Sequence, residues 1–296
     1  MTGKHADPAA SVRARLLNLA KVQGVDFNQM LVRFALERLL YRLAQSRHAQ
    51  RFVLKGALLF TVWYDMPHRA TRDADLLGIG SSDLHSMAEI FREIAAMDVS
   101  DGIKFEANSV SVLTIRKDAA YDGIRVLLQG ELAKARCRTQ VDIGFGDAVF
   151  PPPEESVYPV LLDDLPAPRL RTYSAYTVVA EKVHALAVLG MTNSRLKDYF
   201  DLSLLLEREA LDAALLANAI EATFARRGTA IPDTLPVGLS DEFGHDPSRQ
   251  SLWQAFLNKT GLKYEPLAAV VERIRIKVWP ALSRSSGSQI GDERPQ

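Results

Sequence analysis

The chain has 296 residues, 47% of them apolar and 24% charged, proportions ordinary for a soluble globular protein that buries its own core. Its single cysteine, Cys137, excludes an internal disulfide and the usual cysteine zinc sites. No apolar run approaches the roughly 20 residues of a membrane helix, and Met1 to Asp7 lacks a signal-peptide core, so a cytoplasmic location and no membrane partner are expected.

Net charge is zero but unevenly spread. Between Ser11 and Lys55 stand Arg13, Arg15, Lys21, Arg33, Arg38, Arg42, Arg47, Arg51 and Lys55, opposed only by Asp26 and Glu37. Such a stretch either docks a polyanion or forms a solvated helical face. Arg38 and Arg42 share a helix face, which makes them the expected phosphate contacts if an RNA binds there.

Two helices open the chain. Ser11 to Val22 places Val12, Leu16, Leu17 and Ala20 at helical spacing, and Phe27 to Ser46 does the same with Met30, Leu31, Phe34, Leu39, Leu40 and Leu43. Arg51 to Tyr64 reads as extended, turning helical after Gly56. Arg72 to Gly78 is a short apolar strand carrying acids. Ser82 to Met97 is an amphipathic helix with a serine or aspartate cap at hand. Ser109 to Arg116, Gly123 to Leu132 and Arg138 to Phe145 have strand character, with Asp122-Gly123 as a turn between the first two. The prolines at 151, 152, 153, 159, 166 and 168 mark an extended linker with short strand-like pieces. Helices follow over Ser174 to Leu189, Ser194 to Arg208, Leu211 to Arg226, Ser248 to Thr260 and Glu265 to Trp279. Gly228 to Pro247 reads as a loop and Ser283 to Gln296 as a disordered tail. The class is α+β, arranged as an N-terminal helical arm (1–50), a catalytic lobe (51–168), a helical C-terminal lobe (169–282) and the tail (283–296).

Chemistry concentrates on carboxylates. In Arg69-Ala70-Thr71-Arg72-Asp73-Ala74-Asp75-Leu76-Leu77, strand alternation puts Asp73 and Asp75 on one face. Two such charges repel unless a cation lies between them. A hard ion such as Mg²⁺, or Mn²⁺, takes carboxylate oxygens and keeps positions open for phosphate and water. A third acid, Asp142, interrupts the apolar strand Gln140-Val141-Asp142-Ile143-Gly144-Phe145. It either completes a metal triad or is salt-bridged to Arg136 or Arg138. Thr71 lies two residues before Asp73, on the same face, and its hydroxyl is expected near the bound phosphates. Gly56, after Lys55, suits a close approach of backbone to phosphate.

Further on, Lys182 interrupts an apolar helix, where an ammonium is costly without a facing anion. Its truncation is therefore expected to cost activity and no stability. Asp198 and Asp201 share a face of the next helix, with Arg195 and Lys197 as candidate pairing partners. His184 reads as a satisfied core histidine, and Trp63, Trp253 and Trp279 as core.

Four ordered motifs, Leu54-Lys55-Gly56, Arg69 to Asp75, Glu181-Lys182-Val183-His184-Ala185 and Arg195 to Leu202, together resemble the AbiEii-like nucleotidyltransferase toxins. The resemblance runs from Glu37 to Pro280. It implies a polymerase-β-type catalytic lobe with a mixed sheet, joined to a helical lobe. It implies that Asp73 and Asp75 bind the catalytic metals, that Asp142 matches the third-carboxylate strand, and that Lys55 and Lys182 contact the triphosphate or the acceptor. Asp201, with Lys197 and Asp198, belongs to a second motif that faces the nucleotide. Gly56-Ala57 departs from the Gly-Gly or Gly-Ser common in the superfamily. The implied reaction moves a nucleotide monophosphate from an NTP to an RNA end, with transfer RNA the acceptor and an antitoxin the cognate partner. Transfer to a small molecule or a protein hydroxyl, and a non-catalytic nucleotide-binding module, stand as alternatives.

Overall fold

The computed structural model describes residues 7–64, 71–118 and 121–288. Arg69 and Ala70 of the acid motif and residues 289–296 of the expected tail lie outside them. The chain forms two compact units, one of residues 1–146 and 154–172, the other of 147–153 and 173–296.

In the first unit, helices α1 (Pro8–Gln23) and α2 (Phe27–Gln45) begin at aspartate caps. Asp7 and Asp26 accept the orphan N–H groups of Ala9 and of Asn28 and Gln29. Gly24 ends α1 in the left-handed region that glycine tolerates. Strand β1 (Phe52–Lys55) turns at Gly56 into the short helix α3 (Leu58–Tyr64), and β2 (Asp73–Gly78) carries the acid pair. Helix α4 (Leu84–Ala96) takes Asp83 as its cap. Strands β3 (Ile103–Phe105), β4 (Ser111–Asp118), β5 (Tyr121–Leu132) and β6 (Ala135–Phe145) follow, then β7 (Glu154–Val157) and β8 (Arg169–Thr172).

These strands make one eight-stranded sheet in the order β3-β5-β6-β2-β1-β8-β7, with β4 also on β5. The pairs β2/β6 and β1/β8 are parallel and the others antiparallel, the mixed sheet expected of the class. Leu54, Ala74, Leu76, Ile124, Val126, Leu128, Val141 and Ile143 fill one face, against which α2 and α4 pack. Phe91 of α4 meets Phe52 of β1 edge to face at 5.8 Å.

The structure differs from the sequence expectation in three places. Asp122-Gly123 lies inside β5 and is not the turn; the residues that link β4 to β5, 119 and 120, fall outside the described set. The short strand-like pieces expected in the proline-rich stretch are present as β7 and β8, but they join the sheet and are not linker. Its intervening segment is tied to α2, where Glu37 accepts the Leu161 N–H at 2.7 Å and Arg38 donates to the Pro166 carbonyl at 2.9 Å. The third difference lies in the basic arm. Arg38 and Arg42 are 0% and 2% exposed and carry no RNA-docking face. Arg42 forks onto Asp101 at 2.7 and 3.0 Å, and Arg38 pairs with Glu37 at 2.9 Å. A buried guanidinium needs such partners, and α2 lies between the sheet and the 158–168 segment, where solvent does not reach. Burial is strong enough to push the Glu37 carboxyl up to about 7, against the pull of Arg38.

The second unit is helical: α5 (Ala175–Leu189), α6 (Leu196–Arg208), α7 (Ala213–Arg226), α8 (Asp241–His245), α9 (Pro247–Thr260) and α10 (Leu267–Ser288). Ser174, Asp212 and Asp246 cap their helices. The stretch expected as a loop before Pro247 contains α8, whose Phe243 is buried and stacks on Tyr199 at 4.8 Å. Of the three tryptophans only Trp253 is buried; Trp63 and Trp279 are half-buried. Among the described residues no helix is long and apolar enough to cross a membrane.

Candidate active site

The sheet register assembles the first unit's polar residues. Lys55 of β1 lies opposite Asp75 of β2, Asp75 opposite Asp142 of β6, and Asp142 opposite Arg125 of β5. Directly paired residues project from the same side of a sheet, so a row of alternating origin, Lys55, Asp75, Asp142, Arg125, crosses four strands on the face away from α2. Asp73 is two residues along β2 on that face, about 7 Å from Asp75 between Cα atoms, and lies opposite Gln140. Thr71 donates its hydroxyl to Asp73 Oδ1 at 3.0 Å, which places it on the acid-bearing side.

Gly56 adopts φ +75°, and a Cβ on it would sit 2.4 Å from Asp75 Oδ2 and 2.7 Å from Asp75 Cβ. The turn after β1 is thus pressed against the Asp75 carboxylate. Glycine is required there twice over, by the backbone conformation and by this approach.

Asp142 is held differently from the other two acids. Its two oxygens accept from Arg125 Nε and Nη2, both at 2.8 Å, and Gln140 adds a bond at 3.3 Å. This fork is the strong geometry of a guanidinium–carboxylate pair, and it raises the Arg125 pKa. Among the described residues no three metal-ligating side chains converge. Asp73 and Asp75, half-buried on one face, offer the hard oxygen donors a divalent cation takes. Asp142 is engaged by Arg125 in place of the Arg136 or Arg138 expected from the sequence.

In the second unit Lys182 of α5 reaches Asp198 Oδ1 at 2.6 Å and Asp201 Oδ2 at 2.9 Å on α6. Arg195 Nε reaches the other oxygen of Asp198 at 2.8 Å. Burial lowers the Lys182 pKa, but Asp198 and Asp201 more than offset it and leave it raised. The sequence anticipated an anion facing this lysine; the structure supplies two from its own unit. Asp201 pairs with Lys182, and Lys197, the partner the sequence offered, is exposed. Against the expectation that truncating Lys182 spares stability stands the pairing itself, since truncation would strand two carboxylates only 1% exposed. His184 is buried, 2.8 Å from Thr229 Oγ1 and 3.1 Å from Arg227. Burial and the Arg227 charge bring its pKa down to about 4.

A sequence model of the nucleotidyl transferase AbiEii toxins, of type IV toxin–antitoxin systems, matches residues 38–273. The chain belongs to the AbiEii family. It is accordingly a nucleotidyltransferase of the toxin type, and membership implies a nucleotide substrate and a cognate antitoxin. Among solved structures, a candidate nucleotidyltransferase from H. pylori is similar at 12% identity and TM-score 0.49, over 90% of this chain and 99% of that one. JHP933 from Helicobacter pylori is similar at 14% identity and TM-score 0.46, over 86% of this chain and 91% of that one. No curated protein matches the sequence.

For this AbiEii-family chain, the sheet brings together Lys55, Gly56, Thr71, Asp73, Asp75 and Asp142, and the helical unit brings together Lys182, Asp198 and Asp201. Arg125 and Gln140 went unnoticed in the sequence. The signal was the β5–β6 hairpin, whose two central residues, Ala133 and Lys134, both have positive φ. Counting back from it pairs Arg125 with Asp142. A turn without Gly, Asn or Asp gives no such cue in sequence.

Proposed function

We propose that this protein transfers a nucleotide monophosphate from an NTP to the 3′ end of an RNA, with transfer RNA as the acceptor, using a divalent cation held by Asp73 and Asp75. The observation that carries the reading is the polar row itself: two same-face acids beside a lysine and a forked Asp142–Arg125 pair, with the Gly56 turn against Asp75. In the reaction an acceptor hydroxyl forms a bond to the α-phosphorus, the bond to pyrophosphate breaks, and the hydroxyl proton is lost to solvent or to a carboxylate. A bound Mg²⁺ or Mn²⁺ supplies charge stabilisation for the attacking and leaving oxygens.

The protein's own groups divide the remaining work. Asp73 and Asp75 bind and orient the cation, and the Thr71 hydroxyl fixes the Asp73 carboxylate. Lys55 and the Gly56-Ala57 turn, bordering Asp75, are the contacts for the phosphates. Arg125 restrains Asp142 and offsets the repulsion among three acids. In the helical unit, Asp201, Asp198 and Lys197 belong to the family's second motif, and Lys182 of α5 holds its two acids. Lys197 has no ion-pair partner among the described residues, so it is the cation of that motif open to a phosphate.

The test is incubation of the protein with each α-labelled NTP, purified tRNA and Mg²⁺. Label entering tRNA, abolished by EDTA, is the expected result. Label appearing on protein or on a small acceptor alone would reject RNA as acceptor, and no transfer with any NTP would reject the whole reading.

A further inference from the structure

The buried state of Arg38 and Arg42 leaves the acceptor without a binding surface on α2. Two further arginines of the basic stretch also meet carboxylates, Arg15 with Asp164 at 2.7 Å and Arg47 with Glu93 at 2.6 Å. An RNA strand delivered to Asp73 and Asp75 needs cations on the face of the sheet that carries those acids.

The sheet supplies them. From Asp142, every second residue back along β6 projects from the same face: Gln140, Arg138, Arg136. At about 3.4 Å per residue in an antiparallel strand, Arg138 lies about 14 Å and Arg136 about 20 Å from Asp142. Both are exposed. Opposite Arg138 is the neutral Gln129 and opposite Arg136 is Glu131, which in turn faces Lys104 of β3. Lys104 and Lys134, at the hairpin tip, are exposed as well. Arg138, Lys104 and Lys134 have no ion-pair partner among the described residues. Arg136 meets Glu131 at 3.6 Å with side chains 77% and 40% exposed, a contact too solvated to hold its charge in place.

We propose that this face is the acceptor track: an RNA strand, its end at Asp73 and Asp75, lies along the β5–β6 hairpin over Arg138 and Arg136 and on toward Lys134 and Lys104. The proposal rests on the RNA-transfer reading and names the surface that reading lacks. Cations two residues apart on a strand form a ladder along which successive phosphates are neutralised. Gln140 and Gln129 between them offer donors and acceptors to sugar or base edges. No cation in the ladder is buried, so phosphate contact requires no opening of the core.

The test is binding of a fluorescent tRNA to the full chain over a salt series, with Arg136→Glu/Arg138→Glu, the milder Arg138→Gln, and Lys21→Glu on α1 as a control. The double variant should bind at least tenfold more weakly. Its log–log salt slope should be shallower by about 1.4, from two lost single-strand contacts at about 0.7 each. Arg138→Gln should lose part of this, and Lys21→Glu none. ATP- and Mn²⁺-induced rises in Tm should be unchanged in all of them, since the nucleotide contacts are elsewhere. Native affinity and slope in the double variant, or an equal loss in Lys21→Glu, would overturn the track and leave the RNA reading standing. A native protein that neither binds nor labels RNA would overturn both.

Discussion

Replacing Lys182 by methionine keeps most of the side-chain volume and removes only the charge. The ammonium sits between Asp198 and Asp201, both 1% exposed, and is itself 15% exposed. Removing one partner of a buried ion pair costs about 3–5 kcal/mol. Arg195 still reaches Asp198 at 2.8 Å, so the lower half of that range applies. At about 2–4 °C per kcal/mol for a chain of this size, Tm should fall by roughly 6–16 °C. The sign with pH is fixed by the raised lysine pKa. Its contribution is full below the unfolded value near 10.5 and is lost as pH rises through the higher folded value, so the variant should lack that alkaline loss. Calorimetry near pH 7 reads the main effect, and Lys182→Met/Asp201→Asn should recover part of it. A Lys182→Met protein that melts with the native one would refute the claim that the triad is a structural ion cluster.

Gly56→Ala should cut transfer at least tenfold and cost roughly 1–3 kcal/mol, because its Cβ would lie 2.4 Å from Asp75 Oδ2 at φ +75°; activity and urea denaturation together check this. Arg125→Gln should strip the fork from Asp142 and leave three acids with less opposing charge, so that Mn²⁺ raises Tm more steeply than in the native protein, read by thermal shift. For His184 the folded pKa lies below the unfolded one, so stability is fully present above pH 6.5 and is lost as pH falls toward 4. That fall is about 3 kcal/mol at most, and His184→Asn should flatten this acid limb in urea titrations at pH 4–7.

The parts of the fold legible in the sequence were those set by periodicity. The 3.6-residue pattern of Met30, Phe34 and Leu40 marked α2, and alternation around Asp73 and Asp75 fixed their common face. What sequence could not show was long-range pairing. The burial of Arg38 and Arg42 depends on Asp101 and on carbonyls brought in from 55 to 128 residues away, and a helix that looks basic in one dimension is core in three. The partner of Asp142 depended in the same way on a hairpin register that no turn residue announced. Lys182 was legible as a lysine in need of an anion, but the distance across a helix pair that brings Asp198 and Asp201 to it is set by packing, not by spacing.

The central claim is that Asp73 and Asp75 hold the cation on which transfer depends. Its most direct test is nucleotide transfer by native, Asp73→Asn and Asp75→Asn proteins across a Mg²⁺ titration, alongside Tm. Loss of a ligand worth several kcal/mol of transition-state stabilisation should lower the rate by at least about 100-fold in each variant, with Tm held or raised because like charges no longer face one another. Near-native rates in both variants, at the native Mg²⁺ requirement, would contradict it.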